Sequence, residues 1–204
     1  MQYEYISWNR FYRLCGALYW KISESGYVPD LIIAIARGGY PVARVIADYF
    51  EIMNLVSLKI EHYHGPDKES RAIVPYPLPL RVSDRRILLV DDVSDSGDTF
   101  NAAFQQIAQH GQPAAMRTAV LHHKQTSSHV PDYHAQRIVK WRWITYPWAV
   151  VEDLTVLASR MTPPPQRADE LKGRLIHEIG LEFPSGIIEQ VAPIVLQRLA
   201  DARC

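Results

Sequence analysis

Two short runs of uninterrupted apolar residues constrain the fold of this chain more than any other feature. Leu31–Ala36 and residues 87–90 contain only Leu, Ile, Val and Ala, and polar sequence follows each run directly. Strands that are buried on both faces of a parallel sheet have this composition. The other predicted strands are 55–60, 116–121 and 137–143, and the predicted helices are 5–25, 41–50 and 100–110. Strands that alternate with helices predict an α/β fold with a doubly wound, mainly parallel sheet.

A run of three prolines after Thr162 marks a change in organisation. Proline lacks a backbone N–H and has a fixed φ, so the run cannot continue a helix or a central strand. Beyond it, residues 168–179 and 186–199 have helical patterns. The sequence therefore predicts an α/β domain over residues 1–161 and a small helical C-terminal appendage over residues 162–204.

Composition excludes several classes of partner. The chain has 22 basic and 22 acidic residues, so no overall field attracts nucleic acid or a membrane surface. Two cysteines form no disulfide framework, the apolar runs are too short to span a bilayer, and the N-terminal residues lack a signal-peptide pattern. We expect a cytoplasmic protein that binds neither nucleic acid nor membrane, and that holds any anionic ligand with local groups.

The eight histidines do not predict a metal site. None has acidic or cysteine partners at zinc-ligand spacing, although His122 and His123 are adjacent. We expect these two side chains at the surface or at the edge of a pocket.

The sequence VDDVSDSGDT at residues 90–99 begins at the last residue of the second apolar run. Ligands of open α/β sheets bind outside the carboxyl ends of the strands, which is where Asp91 and Asp92 stand. The small, polar turn after them opens a helix and can aim several N–H and hydroxyl groups at one phosphate. The two carboxylates would repel that phosphate, but they suit the vicinal hydroxyls of a ribose, directly or through Mg²⁺. The order of residues thus fits a ligand with both a sugar diol and a phosphate.

This segment resembles the PRPP-binding signature of type I phosphoribosyltransferases. The resemblance implies that Asp91 and Asp92 bind the ribose hydroxyls and the associated Mg²⁺, and that Asp95 is the catalytic proton acceptor or donor for N7 of a purine. Asp98 departs from the small residue usual in the family, so we expect it to support the loop through its backbone. The alternative is an acidic turn that only caps a helix, where Asp and Ser are common. The resemblance implies that the loop for the 5-phosphate of PRPP consists of Asp95, Ser96, Gly97, Asp98 and Thr99.

A second loop, Arg37-Gly38-Gly39, follows the first apolar run. Glycine lets the backbone approach a ligand closely, and arginine offers a fixed cationic fork to an anion. The loop resembles the diphosphate loop of the purine enzymes in this family. The resemblance implies that Arg37, Gly38 and Gly39 bind PRPP and that Arg37 holds the departing diphosphate during catalysis. The alternative is an ordinary strand-to-helix turn with an exposed arginine.

Residues 62–79 are polar and have no clear period, so they predict a long loop. The family carries a flexible catalytic loop at this place, whose closure would exclude water. Lys68 and Arg71 are the cations of this segment that could reach the diphosphate. A solvated surface loop is an equal alternative for both residues.

The candidate base-binding residues are Lys124, after the fourth predicted strand, and Trp143-Ile144, at the end of the fifth. They resemble the base site of bacterial xanthine-guanine enzymes, in which the lysine contacts the purine 6-oxo group and the Trp-Ile pair brackets the base. An ammonium group can donate to a carbonyl oxygen, and an aromatic face can stack on a purine. The alternative for Trp143 is a packing role.

The sequence therefore predicts a salvage enzyme that transfers the 5-phosphoribosyl group of PRPP to xanthine, guanine or hypoxanthine and releases diphosphate. The resemblance implies Mg²⁺ as the cofactor and a homodimer as the assembly. The competing hypothesis is a non-enzymatic regulator that uses the same fold to sense PRPP or a nucleotide, with the C-terminal helices as an interaction module.

Overall fold

The structure, a computed structural model, describes residues 2–64, 70–184 and 186–202, but not the side chains of residues 62–64 and 70–72. Contacts divide the chain into a larger unit, Tyr12–Trp141, and a smaller unit, Met1–Phe11 with Arg142–Cys204. The strands are β1 (Tyr3–Tyr5), β2 (Leu31–Ala36), β3 (Leu55–His64), β4 (Ser70–Tyr76), β5 (Arg86–Ser94), β6 (Ala115–Lys124), β7 (Tyr133–Ile138) and β8 (Trp143–Thr145). The helices are α1 (Trp8–Glu24), α2 (Gly39–Tyr49), α3 (Asp98–Ala108), α4 (Val150–Ser159), α5 (Ala168–Arg174), with a π-helical turn at Leu175–Ile179, and α6 (Ile187–Asp201).

The larger unit is built on a six-stranded sheet with the order β4-β3-β2-β5-β6-β7. Its strands are parallel except for β4, which pairs antiparallel with β3. Ala34 of β2 pairs with Val90 of β5, and Val90 pairs with Ala119 of β6. The carboxyl ends of the central strands therefore meet at one edge. The predicted mainly parallel α/β sheet is confirmed.

Both faces of this sheet are covered. Successive side chains of a strand point to opposite faces. Ile33 of β2 packs in one buried cluster with Phe100 and Ile107 of α3, whereas Ile32 is absent from that cluster yet fully buried. Helix α2 contacts β2 and β5, and its buried residues also lie outside the cluster. Helices therefore pack on the two faces, which is the doubly wound arrangement.

The structure corrects the prediction of a loop over residues 62–79. Strand β3 continues to His64, and Ser70–Tyr76 forms β4 beside it. Pro75 argued against a strand in the sequence, because proline has no N–H to donate to a neighbouring strand. An edge strand tolerates it, and β4 lies at the edge of the sheet. Lys68 is outside the described residues, and the side chain of Arg71 is not described.

Two further predictions were wrong. The strand predicted over residues 137–143 is divided, because β7 ends at Ile138 in the large sheet and β8 begins at Trp143 in a separate two-stranded sheet with β1. The surface position expected as one alternative for His122 and His123 was also wrong, since both are buried on β6, with exposures of 0% and 5%; the other alternative, the edge of a pocket, stays a prediction.

The smaller unit combines the parallel pair β1–β8 with α4, α5 and α6. Its core joins Leu154 of α4 to Leu171 of α5 and Ala192 of α6, and all three are fully buried. The two helices predicted beyond the prolines are confirmed as α5, with its π-helical turn, and α6. The predicted division between residues 161 and 162 falls inside this unit, whose core uses residues from both sides. Over the described part of the chain, no helix combines the length and apolar character that crossing a membrane requires.

Candidate functional site

A cavity of about 250 Å³ opens at the carboxyl ends of β2 and β5. The two strands are parallel neighbours, so the segments that follow them emerge side by side. The structure thus brings together the two loops that the sequence singled out. Predicted site residues that line the cavity are Arg37, Gly38, Asp91, Asp92, Asp95, Ser96, Gly97 and Thr99.

Gly38 and Gly39 of the first loop allow the two loops to lie in close contact. A Cβ atom at Gly38 would overlap the carboxylate of Asp92, and one at Gly39 would overlap the backbone carbonyl of Val90. Atoms of the second loop, a carboxylate at Gly38 and a backbone carbonyl at Gly39, occupy the space where any other residue would place its Cβ atom. The glycines are therefore needed for contact between the two loops, in addition to any contact with a ligand. Gly39 is also the first residue of α2.

The acid pair is strained electrostatically. Asp91 is buried, and its Oδ1 accepts a hydrogen bond of 2.9 Å from the backbone N–H of Asp92. Burial raises the pKa of Asp91 well above its usual value, and the neighbouring Asp92 carboxylate raises it further. A cation or a set of hydroxyl donors beside the pair would offset this cost.

These carboxylates suit a Mg²⁺ ion that the protein coordinates only in part. Among the residues that the structure describes, no group of three or more His, Cys, Asp or Glu side chains could hold a metal. A site with two adjacent carboxylates suits a cation that takes its other ligands from substrate phosphates and water, as Mg²⁺ commonly does. Asp91 and Asp92 are the residues that would hold it.

The turn after the acid pair leads directly into a helix. Gly97 has a φ of 97°, a left-handed conformation that favours glycine, and α3 begins directly after it. The hydroxyl of Ser96 donates to a carboxylate oxygen of Asp98 at 2.8 Å, and the Asp98 N–H points back to that hydroxyl at 3.3 Å. Asp98 thus supports the turn through its side chain as well as its backbone. Backbone N–H groups at the start of a helix bind phosphate.

A segment that the sequence did not indicate braces this turn. Ser128 donates to the carbonyl of Ser96 from both its N–H, at 2.9 Å, and its hydroxyl, at 2.7 Å. The hydroxyls of Ser94 and Ser127 lie 2.7 Å apart and share a hydrogen bond. Sequence patterns carry no signal for these contacts, because they join residues more than thirty positions apart.

The side chains of Asp95, Lys124 and Trp141 form a second group at the site. The ammonium of Lys124 donates to Oδ2 of Asp95 at 2.6 Å, and the indole N–H of Trp141 donates to Oδ1 at 3.1 Å. The same ammonium lies 4.3 Å from the centroid of the Trp141 ring. The Lys124 side chain is 4% exposed and that of Asp95 is 42% exposed. The structure therefore joins the predicted proton carrier to the predicted base contact.

Trp141 was missed by the sequence reasoning. Its position two residues before Trp143, in a segment rich in tryptophan, was the only available signal. Trp143 and Ile144 belong to the smaller unit, on β8. Trp143 is 42% exposed and its side chain is hydrogen-bonded to Asp153, whereas Ile144 is buried. Burial raises the pKa of Asp153, and the bond from Trp143 opposes that rise.

The fold and the two loops define an α/β protein with its ligand cavity at the carboxyl ends of parallel strands. The match to a family model then makes the class specific. The chain belongs to the phosphoribosyl transferase domain family, whose model matches residues 1–153. The family and the enzyme class predicted from the sequence, a phosphoribosyltransferase, are confirmed by this match.

Individual relatives agree with this family. The chain is similar to the bifunctional protein PyrR of Ralstonia nicotianae, with 36% identity over 110 residues, which cover 51% of this chain and 62% of that protein. It is similar to a xanthine-guanine phosphoribosyltransferase of Ruegeria sp., with 26% identity over 155 residues and coverages of 71% and 84%. Among solved structures, a purine phosphoribosyltransferase from Pyrococcus horikoshii aligns with a TM-score of 0.65 and 31% identity, over 72% of this chain and 94% of that one.

Proposed function

We propose that this protein transfers the 5-phosphoribosyl group of PRPP to a 6-oxopurine base and releases diphosphate. The observation that carries the proposal is the single cavity lined by both Arg37-Gly38 and the segment from Asp91 to Thr99. One loop offers a cation for a diphosphate, and the other offers carboxylates for a ribose and a turn for a phosphate. PRPP has these three parts in one molecule.

The chemistry follows from the placement of charge. The bond from C1 of the ribose to the diphosphate breaks, a bond from a base nitrogen to C1 forms, and the base loses a proton. Arg37 would stabilise the negative charge that grows on the leaving diphosphate, and the turn at Ser96 and Gly97 would hold the 5-phosphate in place. Asp95 would accept the proton. Mg²⁺, held by Asp91 and Asp92, would supply further charge neutralisation to the diphosphate.

The proposed base is an oxopurine because of the pair formed by Asp95 and Lys124. An acceptor oxygen and a donor nitrogen lie 2.6 Å apart, side by side. The N7–H and O6 groups of a 6-oxopurine present a donor beside an acceptor, which complements this pair. Trp143 and Ile144 are proposed as the residues that bracket the base. The similarity to a xanthine-guanine enzyme supports the same choice, while the similarity to PyrR leaves the identity of the base open.

Release of diphosphate from PRPP, measured with a panel of bases, tests this function. The panel contains xanthine, guanine, hypoxanthine, adenine and uracil, with a sample lacking base to measure hydrolysis. We expect base-dependent release with at least one 6-oxopurine and much weaker release with adenine, which cannot accept from Lys124 at position 6. Equal release with all bases and without base would contradict the proposal.

A regulator is the second candidate, and the similarity to PyrR, a regulator among the relatives of this chain, favours it. Such a protein would bind PRPP or a nucleotide without converting it to product, and binding would change its interaction with a partner. The same panel separates the two, because tight PRPP binding without release for any base supports the regulator. The homodimer and the cytoplasmic location stay predictions from the sequence.

A further inference from the structure

Trp141 contacts both members of the Asp95–Lys124 pair. Its indole N–H holds one oxygen of the carboxylate, while the ammonium holds the other. Its ring lies 4.3 Å from the same ammonium. Among the described residues, the hydrogen bond and the ring–cation contact of Trp141 both go to this pair. The three side chains therefore form a closed arrangement.

The contacts with Trp141 restrict the rotation of the Asp95 carboxylate and the rotamers of the Lys124 side chain. The Asp95 side chain is 42% exposed, so a bond from Lys124 alone would leave its second oxygen open to water and its carboxylate free to turn. A bond to each oxygen fixes the plane of the carboxylate. A lysine side chain has many rotamers, and an aromatic face beside a nearly buried ammonium attracts the cation and restricts it.

We propose that Trp141 is a positioning residue for the base. It sets the orientation of the Asp95 carboxylate through its N–H and the place of the Lys124 ammonium through its ring. This inference rests on the proposed function for its catalytic consequence, but the arrangement itself can be tested without turnover. The proposal assigns one effect to the indole N–H of Trp141 and another to its ring.

Two substitutions separate those effects. Trp141→Phe keeps an aromatic ring and removes the N–H, whereas Trp141→Leu removes both. Trp20→Phe is the matched control, because Trp20 is an exposed tryptophan of α1 whose ring contacts Tyr19. Near-ultraviolet circular dichroism and a urea transition establish that each variant is folded.

Steady-state kinetics give the first readout. In Trp141→Phe we expect kcat to fall roughly tenfold, with the KM values for base and PRPP nearly unchanged, because a hydrogen bond to a charged group is lost. In Trp141→Leu we expect the KM for the base to rise as well, by roughly fivefold to tenfold, because Lys124 loses its aromatic partner. A change in the KM for PRPP as large as that in the KM for the base would indicate a general structural role and overturn the inference.

Nuclear magnetic resonance of lysine ammonium groups gives a second readout that needs no activity. A nearly buried, hydrogen-bonded ammonium exchanges its protons slowly, so Lys124 should give a resolved signal, assigned by its loss in Lys124→Met. We expect that signal to shift in Trp141→Phe, to broaden or vanish in Trp141→Leu, and to be unchanged in Trp20→Phe. An unchanged Lys124 signal in Trp141→Leu would overturn the inference.

The two readouts also keep the hypotheses apart. If the natural chain shows no turnover with any base, the proposed function fails, and the ammonium signal alone decides the role of Trp141. If the chain turns over and the signal does not respond to Trp141, only the positioning role fails.

Discussion

At the scale of single residues, Gly38 shows how the two loops depend on each other. A methyl group at this position would overlap the carboxylate of Asp92, which lines the same cavity, so the carboxylate has to turn away or the loop has to shift. We expect Gly38→Ala to weaken PRPP binding by at least roughly tenfold, since either shift displaces the Asp92 carboxylate, which is proposed to bind the ribose and Mg²⁺. Isothermal titration with PRPP and Mg²⁺ measures this effect.

Gly16 provides the control for that substitution. It lies inside α1 with open space around it, so Gly16→Ala should leave PRPP binding unchanged. It should raise the free energy of unfolding by about 0.5–1 kcal/mol, because alanine favours a helix. Unchanged PRPP affinity in Gly38→Ala would show that the contact between the loops is not required for binding.

Asp95 is the residue whose charge the proposed mechanism uses most directly. Asp95→Asn keeps the size of the side chain and removes its ability to take a proton. We expect PRPP affinity to survive and the transfer rate to fall by about 10²–10⁴-fold, the usual contribution of a positioned acid or base. Stopped-flow transfer rates and equilibrium binding measure the two quantities. Asp48→Asn, on the exposed face of α2, is the control. Turnover that survives Asp95→Asn would remove Asp95 from the mechanism.

At the scale of elements, the connection between β6 and β7, residues 125–132, braces the turn at Ser96 and Gly97. Asp132 ties this connection to β6, because one of its oxygens accepts bonds of 2.8 Å from both the N–H and the hydroxyl of Thr118. The middle of the connection carries Ser128, which bonds to the turn. Loss of the Asp132 carboxylate would leave the buried polar groups of Thr118 without these partners.

We therefore expect Asp132→Ala to lower the free energy of unfolding by about 1–3 kcal/mol. It should also raise the KM for PRPP, because the turn loses its support. Urea titration and steady-state kinetics measure these effects. Asp48→Ala serves as the control and should change stability by less than about 0.5 kcal/mol, since its pair with Arg44 is exposed. A stable Asp132→Ala protein with an unchanged KM for PRPP would contradict this account of the connection.

The sequence predicted the central elements well and the peripheral ones poorly. Leu31–Ala36 was found with its exact limits, because a strand buried on both faces leaves an uninterrupted apolar run. Strand β4 has an exposed edge and a proline, and β1 and β8 have three residues each, so their patterns are too weak to detect. Helix α4 escaped prediction altogether.

The candidate site divides in the same way. Its two loops were predicted because each follows a buried strand and consists of contiguous residues with a distinct composition. Trp141 and Ser128 were not predicted, because they reach the site only through contacts across the fold, to residues 46 and 32 positions away. Such long-range placement depends on the register of β6 beside β5 and of β7 beside β6, which local sequence does not specify.

At the scale of the whole molecule, the residues beyond the prolines are part of a packed core. Leu171 is fully buried and lies in one cluster with Leu154 and Leu157, which precede the predicted division at residue 162. The smaller unit therefore needs both stretches of the chain for its stability. The family model ends at residue 153, so most of this helical part is an addition to the matched domain.

We expect Leu171→Ala to destabilise the smaller unit by about 2–5 kcal/mol, as truncation of a fully buried leucine usually does. Ile194→Ala on α6 is the control and should cost less than about 0.5 kcal/mol, because Ile194 is 48% exposed. Hydrogen exchange of amides in α4 and α6 measures the effect within this unit. Equal protection of these amides in Leu171→Ala and in the natural chain would show that the C-terminal helices are not needed for this core.

Zero net charge gives the molecule no overall attraction for a highly anionic substrate. The local groups at the edge of the sheet would then have to bind PRPP. The central claim is that these groups transfer its phosphoribosyl group to an oxopurine. Mass spectrometry of the product formed from PRPP, Mg²⁺ and each oxopurine tests this claim most directly. We predict the nucleoside monophosphate of at least one oxopurine together with an equal amount of diphosphate. Recovery of unchanged PRPP and unchanged base in every mixture would contradict it.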